Sequence, residues 1–509
     1  MGRPVALGLV TEPLPQASPY ADLPEQERVR REKLDRLRAQ GVDPYPVGFP
    51  RTATAAELRA RYAGLPADAR TGVTVGVAGR VMLSRVAGKL CFATLRDGSG
   101  DIQVMLALDG VGAESLARWK AGVDRGDHVG VTGEVVTSRR GELSVRATGW
   151  AFAAKALRPL PEKHKGLTDP EARVRLRYVD LVVNPQPRRM LQVRAAVLRS
   201  LRETLDRRGY LEVETPILQP LHGGAAARPF ATHLHAFDQP MYLRIAIELY
   251  LKRLVVGGVE RVYEIGRNFR NEGVDSTHSP EFTMLEAYQA YGDYDTMAEL
   301  TRDLVLDAAR ATGATVVPDG RGGELDLTAP WRHATVHDLV SVAVGEEVTP
   351  DTELPALRRF ADRAGVPVAP SWGTGEVVLE LFEKLVEHTL VQPTFVRDYP
   401  ASVRPLARPH RADPRLAEAW DLVVAGVELA PAYSELVDPV EQRRRLTEQS
   451  LRAAGGDPEA MQLDEDFLRA LEYGAPPMGG LGLGVDRLIM LLTGTGIRDT
   501  IAFPLLKPE

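Results

Sequence analysis

Two segments far apart in the chain carry residue types suited to gripping a nucleotide. The first is Phe269-Arg270-Asn271-Glu272, followed across a short loop by His278 and Phe282. The second is Gly482-Leu483-Gly484-Val485-Asp486-Arg487, running into the apolar Leu488-Ile489-Met490-Leu491. A phosphate chain calls for guanidinium forks, and a purine for a flat apolar face. Arg270 and Arg487 are the candidate forks, His278 a further donor and Phe282 the stacking ring. The G-x-x-x-x-G-K-[ST] pattern of a Walker loop occurs nowhere in the chain. Taken singly, an Arg-x-Glu pair is an ordinary surface pair and a Gly-rich turn is common. Their occurrence in this order is what points to a site.

Such side chains need a scaffold. Residues 188–208 predict an amphipathic helix with Val197, Leu198, Leu201 and Leu205 on one face. It leads into a strand over 209–216 that ends at Pro216. Short strands and helices then alternate without a repeating βαβ unit, which predicts an α+β domain on an antiparallel sheet over 186–509. Upstream, five short strands (73–77, 89–95, 101–106, 128–133 and 142–147) with glycine turns and a helical insertion near 113–120 predict an all-β OB-fold barrel over 67–158. The fold class is therefore multidomain. On the barrel, Phe92 reads equally well as a core aromatic and as an exposed platform for a base. Residues 23–66 predict a helical segment, with helices near 24–40 and 55–62. The first gathers Arg28, Arg30, Arg31, Lys33, Arg36 and Arg38, either against phosphate or on a solvated face. Residues 1–22 are Pro-containing and aperiodic, a disordered tail, and 159–185 reads as a linker.

Composition narrows the class. A chain of 509 residues with 44% hydrophobic and 26% charged residues is that of an ordinary globular protein of two or three domains. No apolar run approaches the ~18 residues of a membrane span, and the N-terminus lacks the pattern of a secretory signal. A single cysteine, Cys91, excludes an intrachain disulfide, so the expected compartment is the cytoplasm. The net charge of −6 does not exclude a nucleic-acid partner that touches only part of the surface.

The Arg270 and Arg487 segments resemble motifs 2 and 3 of the class II aminoacyl-tRNA synthetases, and the helix, strand and Pro216 resemble motif 1, through which those enzymes dimerise. Gly223-Gly224-Ala225-Ala226-Ala227-Arg228-Pro229-Phe230, Tyr242-Leu243-Arg244-Ile245-Ala246 with Glu248-Leu249-Tyr250, and Tyr433-Ser434-Glu435-Leu436 narrow this to the lysyl-tRNA synthetases. Gly426-Val427-Glu428-Leu429 with the Tyr433 segment is most similar to the synthetase half of bacterial lysylphosphatidylglycerol synthase fusions.

That resemblance implies ATP-dependent activation of lysine and its transfer to tRNA(Lys), in a homodimer. Lysine has two cationic ends, and a pocket selecting it should bury carboxylates at both. By the resemblance, Glu286, Tyr288 and Glu435 hold the ε-ammonium, with Tyr433 beside them. Gly224 and Glu248 hold the α-amino group, and Arg270 faces the carboxylate and α-phosphate. The ATP set is Arg270, Glu272, His278, Phe282, Glu428 and Arg487, with Arg270 and Arg487 as the catalytic pair. Asp421 and Glu428 are assigned to Mg²⁺. In one regular strand they would point to opposite faces, and a bend or bulge near Gly426 is expected to join them. Arg85, Phe92, Gln103 and Glu142 fall at the anticodon-reading positions. Three residues depart from the pattern: Pro431 replaces an asparagine, Asp421 a glutamate and Ile247 a proline. The loss at 431 removes a hydrogen bond worth roughly 1.5–3 kcal/mol to a charged group. Alternatives are a specialised paralogue supplying activated lysine to another acceptor such as a membrane lipid, and a non-catalytic tRNA-binding paralogue.

Overall fold

The structure is a computed structural model that describes residues 19–161, 166–454 and 461–508. Most of the expected tail, residues 1–18, lies outside them. Its last residues form turns, and the Tyr20 hydroxyl donates to Asp35 Oδ2 at 2.9 Å. The chain divides after Gly166 into two compact units.

The first unit is a closed five-stranded barrel. Its strand Arg70–Ala87 is far longer than the alternation at 73–77 foretells. It pairs with His128–Thr137 along one edge and with Leu90–Arg96 along the other, and a bulge between Val81 and Leu83 lets it turn the corner. Asp101–Ala107 and Leu143–Ala154 close the circuit. Alternation sorts the side chains: Cys91, Ala93, Leu95, Ile102, Val104 and Leu106 fill the interior, while Phe92 and Gln103 face outward. Helix Ala113–Gly122 is the expected insertion, and its Trp119 is buried in the core.

Helix Glu25–Ala39 buries Leu34 and Leu37. Two of its basic residues serve structure. Arg30 donates to the carbonyls of Ala156 (3.0 Å) and Arg125 (2.8 Å), and Lys33 pairs with Asp124 at 2.6 Å. The same carboxylate cluster holds Lys155, whose buried Nζ reaches Asp124 at 2.6 Å, Asp127 at 2.8 Å and the Gly122 carbonyl at 2.9 Å.

The second unit is built on an eight-stranded sheet. In spatial order its strands are Arg332–Thr335, Thr394–Arg397, Ala419–Val424, Val427–Ser434, Met478–Gly484, Glu281–Ala290, Arg261–Phe269 and Leu211–Glu212. The sheet is antiparallel through its middle, and only the pair at each end is parallel. Helices Gln186–Arg207 and Tyr294–Thr312 cover one face, with Val197, Leu201, Leu205, Leu300 and Leu304 in the core. The opposite face of the middle strands is left for the site. Helices Val336–Val344, Leu354–Ala364 and Thr374–Leu385 form an insertion around a separate apolar cluster. The stretch read as linker, 159–185, contains two helices, Pro170–Arg175 and Arg177–Val183, with 162–165 outside the described residues.

Removing one member of a buried ion cluster strands the others. Lys155→Met should destabilise the chain by about 3–5 kcal/mol, read as a lowered first transition in calorimetric unfolding. A transition at the wild-type temperature would show that the Lys155 cluster contributes nothing.

Candidate active site

Strands Arg261–Phe269 and Glu281–Ala290 form a hairpin whose loop carries residues 270–280. Arg270 leaves the end of the first strand with its Nε on the Ile245 carbonyl (3.3 Å) and its guanidinium carbon 5.2 Å from the Phe282 ring centre. Burial lowers its pKa, against the pull of Glu272, Glu286 and Glu428. His278 sits in the loop with Nδ1 against Asp275 at 2.9 Å, and its Nε2 lies 3.4 Å from Arg487 Nη2.

The next strand, Met478–Gly484, pairs Gly480 with Tyr288, Gly482 with Glu286 and Gly484 with Met284. Every second residue on this face is thus glycine, and the floor beneath Tyr288 and Glu286 is bare. A Cβ on Gly480 would fall 2.1 Å from Glu435 Oε1 and 2.4 Å from Tyr288 Cε1. The helix Val485–Thr493 starts directly after this strand. Asp486 fastens that start, accepting from Thr283 N at 2.7 Å and pairing with Arg194. Arg487 then points back into the cavity and donates to the Glu428 carbonyl at 2.7 Å.

The acidic end draws on three elements. Glu286 stands on the strand, its Oε1 taking hydrogen bonds from Ile247 N (2.9 Å) and Asn268 Nδ2 (3.5 Å). Glu248 opens the helix Glu248–Val256, with Gly224 (φ +84°) folded against it. Glu435 follows the strand Val427–Ser434, which also carries Tyr433. Burial pushes Glu286 up to about 7 and Glu435 up to about 8, while the Tyr288 hydroxyl rises well above the usual phenol range.

Asp421 and Glu428 lie on neighbouring strands rather than on one bent strand. Ala425 and Gly426, both at positive φ, turn a tight hairpin between them. Asp421 pairs with Pro431 and Val423 with Glu428, so Leu429 is the bulged residue. That extra residue puts Glu428 and Pro431, three apart, on the same face. The expected bulge exists, but its place is Leu429, and Gly426 makes the turn. Asp421 Oδ2 pairs with Arg404, its Oδ1 is buried without a partner, and burial lifts its pKa to about 6. Glu428 is half-exposed. Among the described residues no three acidic, histidine or cysteine side chains cage a metal. One orphaned carboxylate oxygen on Asp421 and the half-exposed Glu428 carboxylate, held only at 3.9 Å by Arg487, share a face and fit an ion that takes its other ligands from phosphate and water.

All these groups line one cavity of about 400 Å³. Gly224, Glu248, Arg270, Glu272, His278, Phe282, Glu286, Tyr288, Asp421, Glu428, Tyr433, Glu435 and Arg487 share its wall. Sequence reasoning missed Arg404 and Gly480, which also line it. Arg404 lies in no motif. Gly480 continues the alternate glycines at 482 and 484, and that period was a readable signal. The other named residues belong to the barrel. Arg85 is paired with Phe92, its guanidinium carbon 5.9 Å from the ring centre. Gln103 donates to Ser144 Oγ at 2.8 Å, and Glu142 is exposed in the turn before Leu143, near Arg59. Register keeps the first three on one outward face.

A barrel of this topology joined to a sheet with a cavity of paired arginines and buried acids defines a class II aminoacyl-tRNA synthetase. The sequence model for tRNA synthetases class II (D, K and N) matches residues 169–507, and that for OB-fold nucleic acid binding domains matches 75–151. A lysine--tRNA ligase of Kineococcus radiotolerans is 56% identical over 96% of this chain and 98% of its own length. One of Mycobacterium bovis is 54% identical with the same coverage. The lysylphosphatidylglycerol biosynthesis bifunctional protein LysX of Mycolicibacterium vanbaalenii is 56% identical over 96% of this chain, which spans 44% of that protein. The chain belongs to the lysine--tRNA ligase family and is an enzyme of the class II ligase type. Among the described residues no helix is long and apolar enough to cross a membrane.

The bare floor yields a direct test. Gly480→Ala should displace Glu435 and Tyr288 and lower kcat/KM for lysine by about 100-fold, with KM for ATP little changed. Lysine-dependent pyrophosphate exchange would measure both, and an unaffected kcat/KM would remove Gly480 from the account.

Proposed function

We propose that the cavity activates lysine with ATP and passes it to tRNA(Lys) in the cytoplasm, with the residue roles that follow. The observation supporting this most is the convergence of Glu248, Glu286 and Glu435 with Arg270 and Arg487 in one cavity. Three buried carboxylates call for ammonium groups, and two guanidinium groups call for phosphate and carboxylate.

Lysine lies with its ε-ammonium toward Glu286, Tyr288 and Glu435, Tyr433 packing beside it. Its α-ammonium lies toward Glu248 and the Gly224 carbonyl. Arg270 holds the lysine carboxylate beside the α-phosphate, so that the attacking oxygen and the phosphorus meet in line. Phe282 stacks on the adenine, and Glu272, His278 and Arg487 hold the base and phosphates. Pyrophosphate leaves and lysyl-adenylate forms. Asp421 and Glu428 would hold a Mg²⁺ ion, which would supply charge neutralisation on the phosphates. The 3′-terminal adenosine hydroxyl of tRNA then attacks the activated carbonyl and AMP departs. Neither step uses a covalent enzyme nucleophile, and fixed charge does the catalytic work.

On the barrel, Phe92 offers its outward face to an anticodon base, with Arg85, Gln103 and Glu142 around it. The exposed apolar side chains Leu211, Ile217 and Leu218, after the helix Gln186–Arg207, support a homodimer formed through this segment.

Arg270→Ala should abolish lysine-dependent pyrophosphate exchange in a folded protein; exchange near the wild-type rate would refute its role. Phe92→Ala should leave exchange intact and raise KM for tRNA about 5- to 100-fold, the weight of one base–aromatic stack. An unchanged KM in aminoacylation assays would remove Phe92 from the anticodon site.

A further inference from the structure

Behind the acidic end of the cavity stands a cation that the mechanism above does not use. Lys252 lies one helical turn after Glu248, and its side chain is 1% exposed. Its Nζ is 2.6 Å from Glu248 Oε1 and 2.5 Å from Glu435 Oε2, and 5.9 Å from the centre of the Tyr288 ring. Glu248 and Glu435 line the cavity, whereas Lys252 does not. It reaches the site through the two acids and the face of the Tyr288 ring.

A site built to receive ammonium groups has no evident need of its own. The charge balance supplies one. When ionised, Glu248, Glu286 and Glu435 bring three negative charges to this end of the cavity they line, and Lys252 removes one. We propose that Lys252 is a positioning residue that sets how many ammonium groups the cavity admits: clamped between Glu248 and Glu435, it leaves a deficit of two, which a diammonium amino acid fills. It also fixes one oxygen of each acid and leaves the other free for the substrate. This rests on the reading of the cavity as the lysine site.

The neighbouring titratable groups respond in the required sense. Burial alone would pull the Lys252 pKa down, but Glu248 and Glu435 outweigh it and keep the ammonium charged. Burial raises Glu435, Lys252 opposes that rise, and Glu248 and Glu286 add to it. Arg270 and Arg244 oppose the rise of Glu286, and Tyr288 and Tyr433 beside these acids are both held neutral by burial. Lysine binds the ionised carboxylates, so KM for lysine should fall as pH rises through the raised pKa values of Glu286 and Glu435 and then level. Without Lys252, Glu435 keeps its proton to higher pH and the falling limb moves up.

The test compares wild type with Lys252→Met and Lys252→Arg in lysine-dependent pyrophosphate exchange from pH 6.5 to 9. For Lys252→Met, KM for lysine should rise at least about tenfold at pH 7, a displacement of one pH unit or more. The gap should narrow toward pH 9, with KM for ATP within about twofold. Lys252→Arg keeps the charge and should keep the wild-type position of the limb even if KM changes. It is the decisive variant if the Met protein does not fold. A Lys252→Met curve that coincides with wild type, or that is uniformly weaker without moving along the pH axis, overturns the proposal. So does an Arg variant whose limb moves by a unit. Wild-type protein with no lysine-dependent exchange would instead overturn the reading of the cavity itself.

Discussion

Gathering three carboxylates out of water in one cavity is the constraint from which the architecture of the second unit follows. An ionised carboxylate buried without partners is too costly to persist, so such groups are paired, hydrogen-bonded or protonated. All three responses occur here. Glu435 and Glu248 share the Lys252 ammonium, Glu286 takes the Ile247 amide hydrogen, and burial pushes Glu286 and Glu435 to about 7 and 8. The cavity is therefore short of positive charge until a cation enters it. On the proposed reading, that shortage, held by rigid strands and a helix start, is what selects a cationic substrate.

The strands can hold such groups because of what is absent from their neighbour. Gly480, Gly482 and Gly484 lie opposite Tyr288, Glu286 and Met284, and their missing side chains are the volume of the cavity floor. Glycine weakens a strand interior. The loss is offset on the other face of the same strand, where Leu481 and Leu483 are buried against the helices. Period two thus divides one short segment between function and stability. The hairpin carrying Asp421 and Glu428 breaks that period once, at Leu429, and so puts both acids in the cavity.

Much of this was legible in the chain. Arg270, Phe282 and Arg487 are visible because motif residues are dense and nearly contiguous, and the barrel because its alternation is regular between glycine turns. The face taken by Phe92 was not legible, since a lone aromatic does not declare its side; only pairing with Met105, between the buried Cys91 and Ala93, turns it outward. The hairpin at Ala425-Gly426 was hidden because a short apolar run on either side reads as well as one strand. The helices at 170–183 were masked by Pro170, which can begin a helix as readily as punctuate a linker. Arg404 had no signal at all, and Lys252 only its i, i+4 spacing from Glu248. A buried basic residue looks like a surface one until its acids, drawn from distant segments, are brought to it.

Two departures from the family pattern act in opposite directions on the same cavity. Residue 247 would supply no amide hydrogen as proline; as Ile247 it donates to Glu286 Oε1 and orients the carboxylate at the ammonium end. Residue 431 would bring an amide side chain as asparagine; as Pro431 it offers no donor from either side chain or backbone. The fold accepts proline in this inner strand because the ladder to Met478–Gly484 begins only at Ala432, one residue later. On the proposed reading, the chain thus firms the grip on one end of its substrate and loosens it on the other. On the reading above, the substrate carboxylate depends more heavily on Arg270, whose guanidinium is already fixed by the Ile245 carbonyl and the Phe282 ring. Discrimination then rests on counting ammonium groups more than on grasping the carboxylate that every amino acid shares.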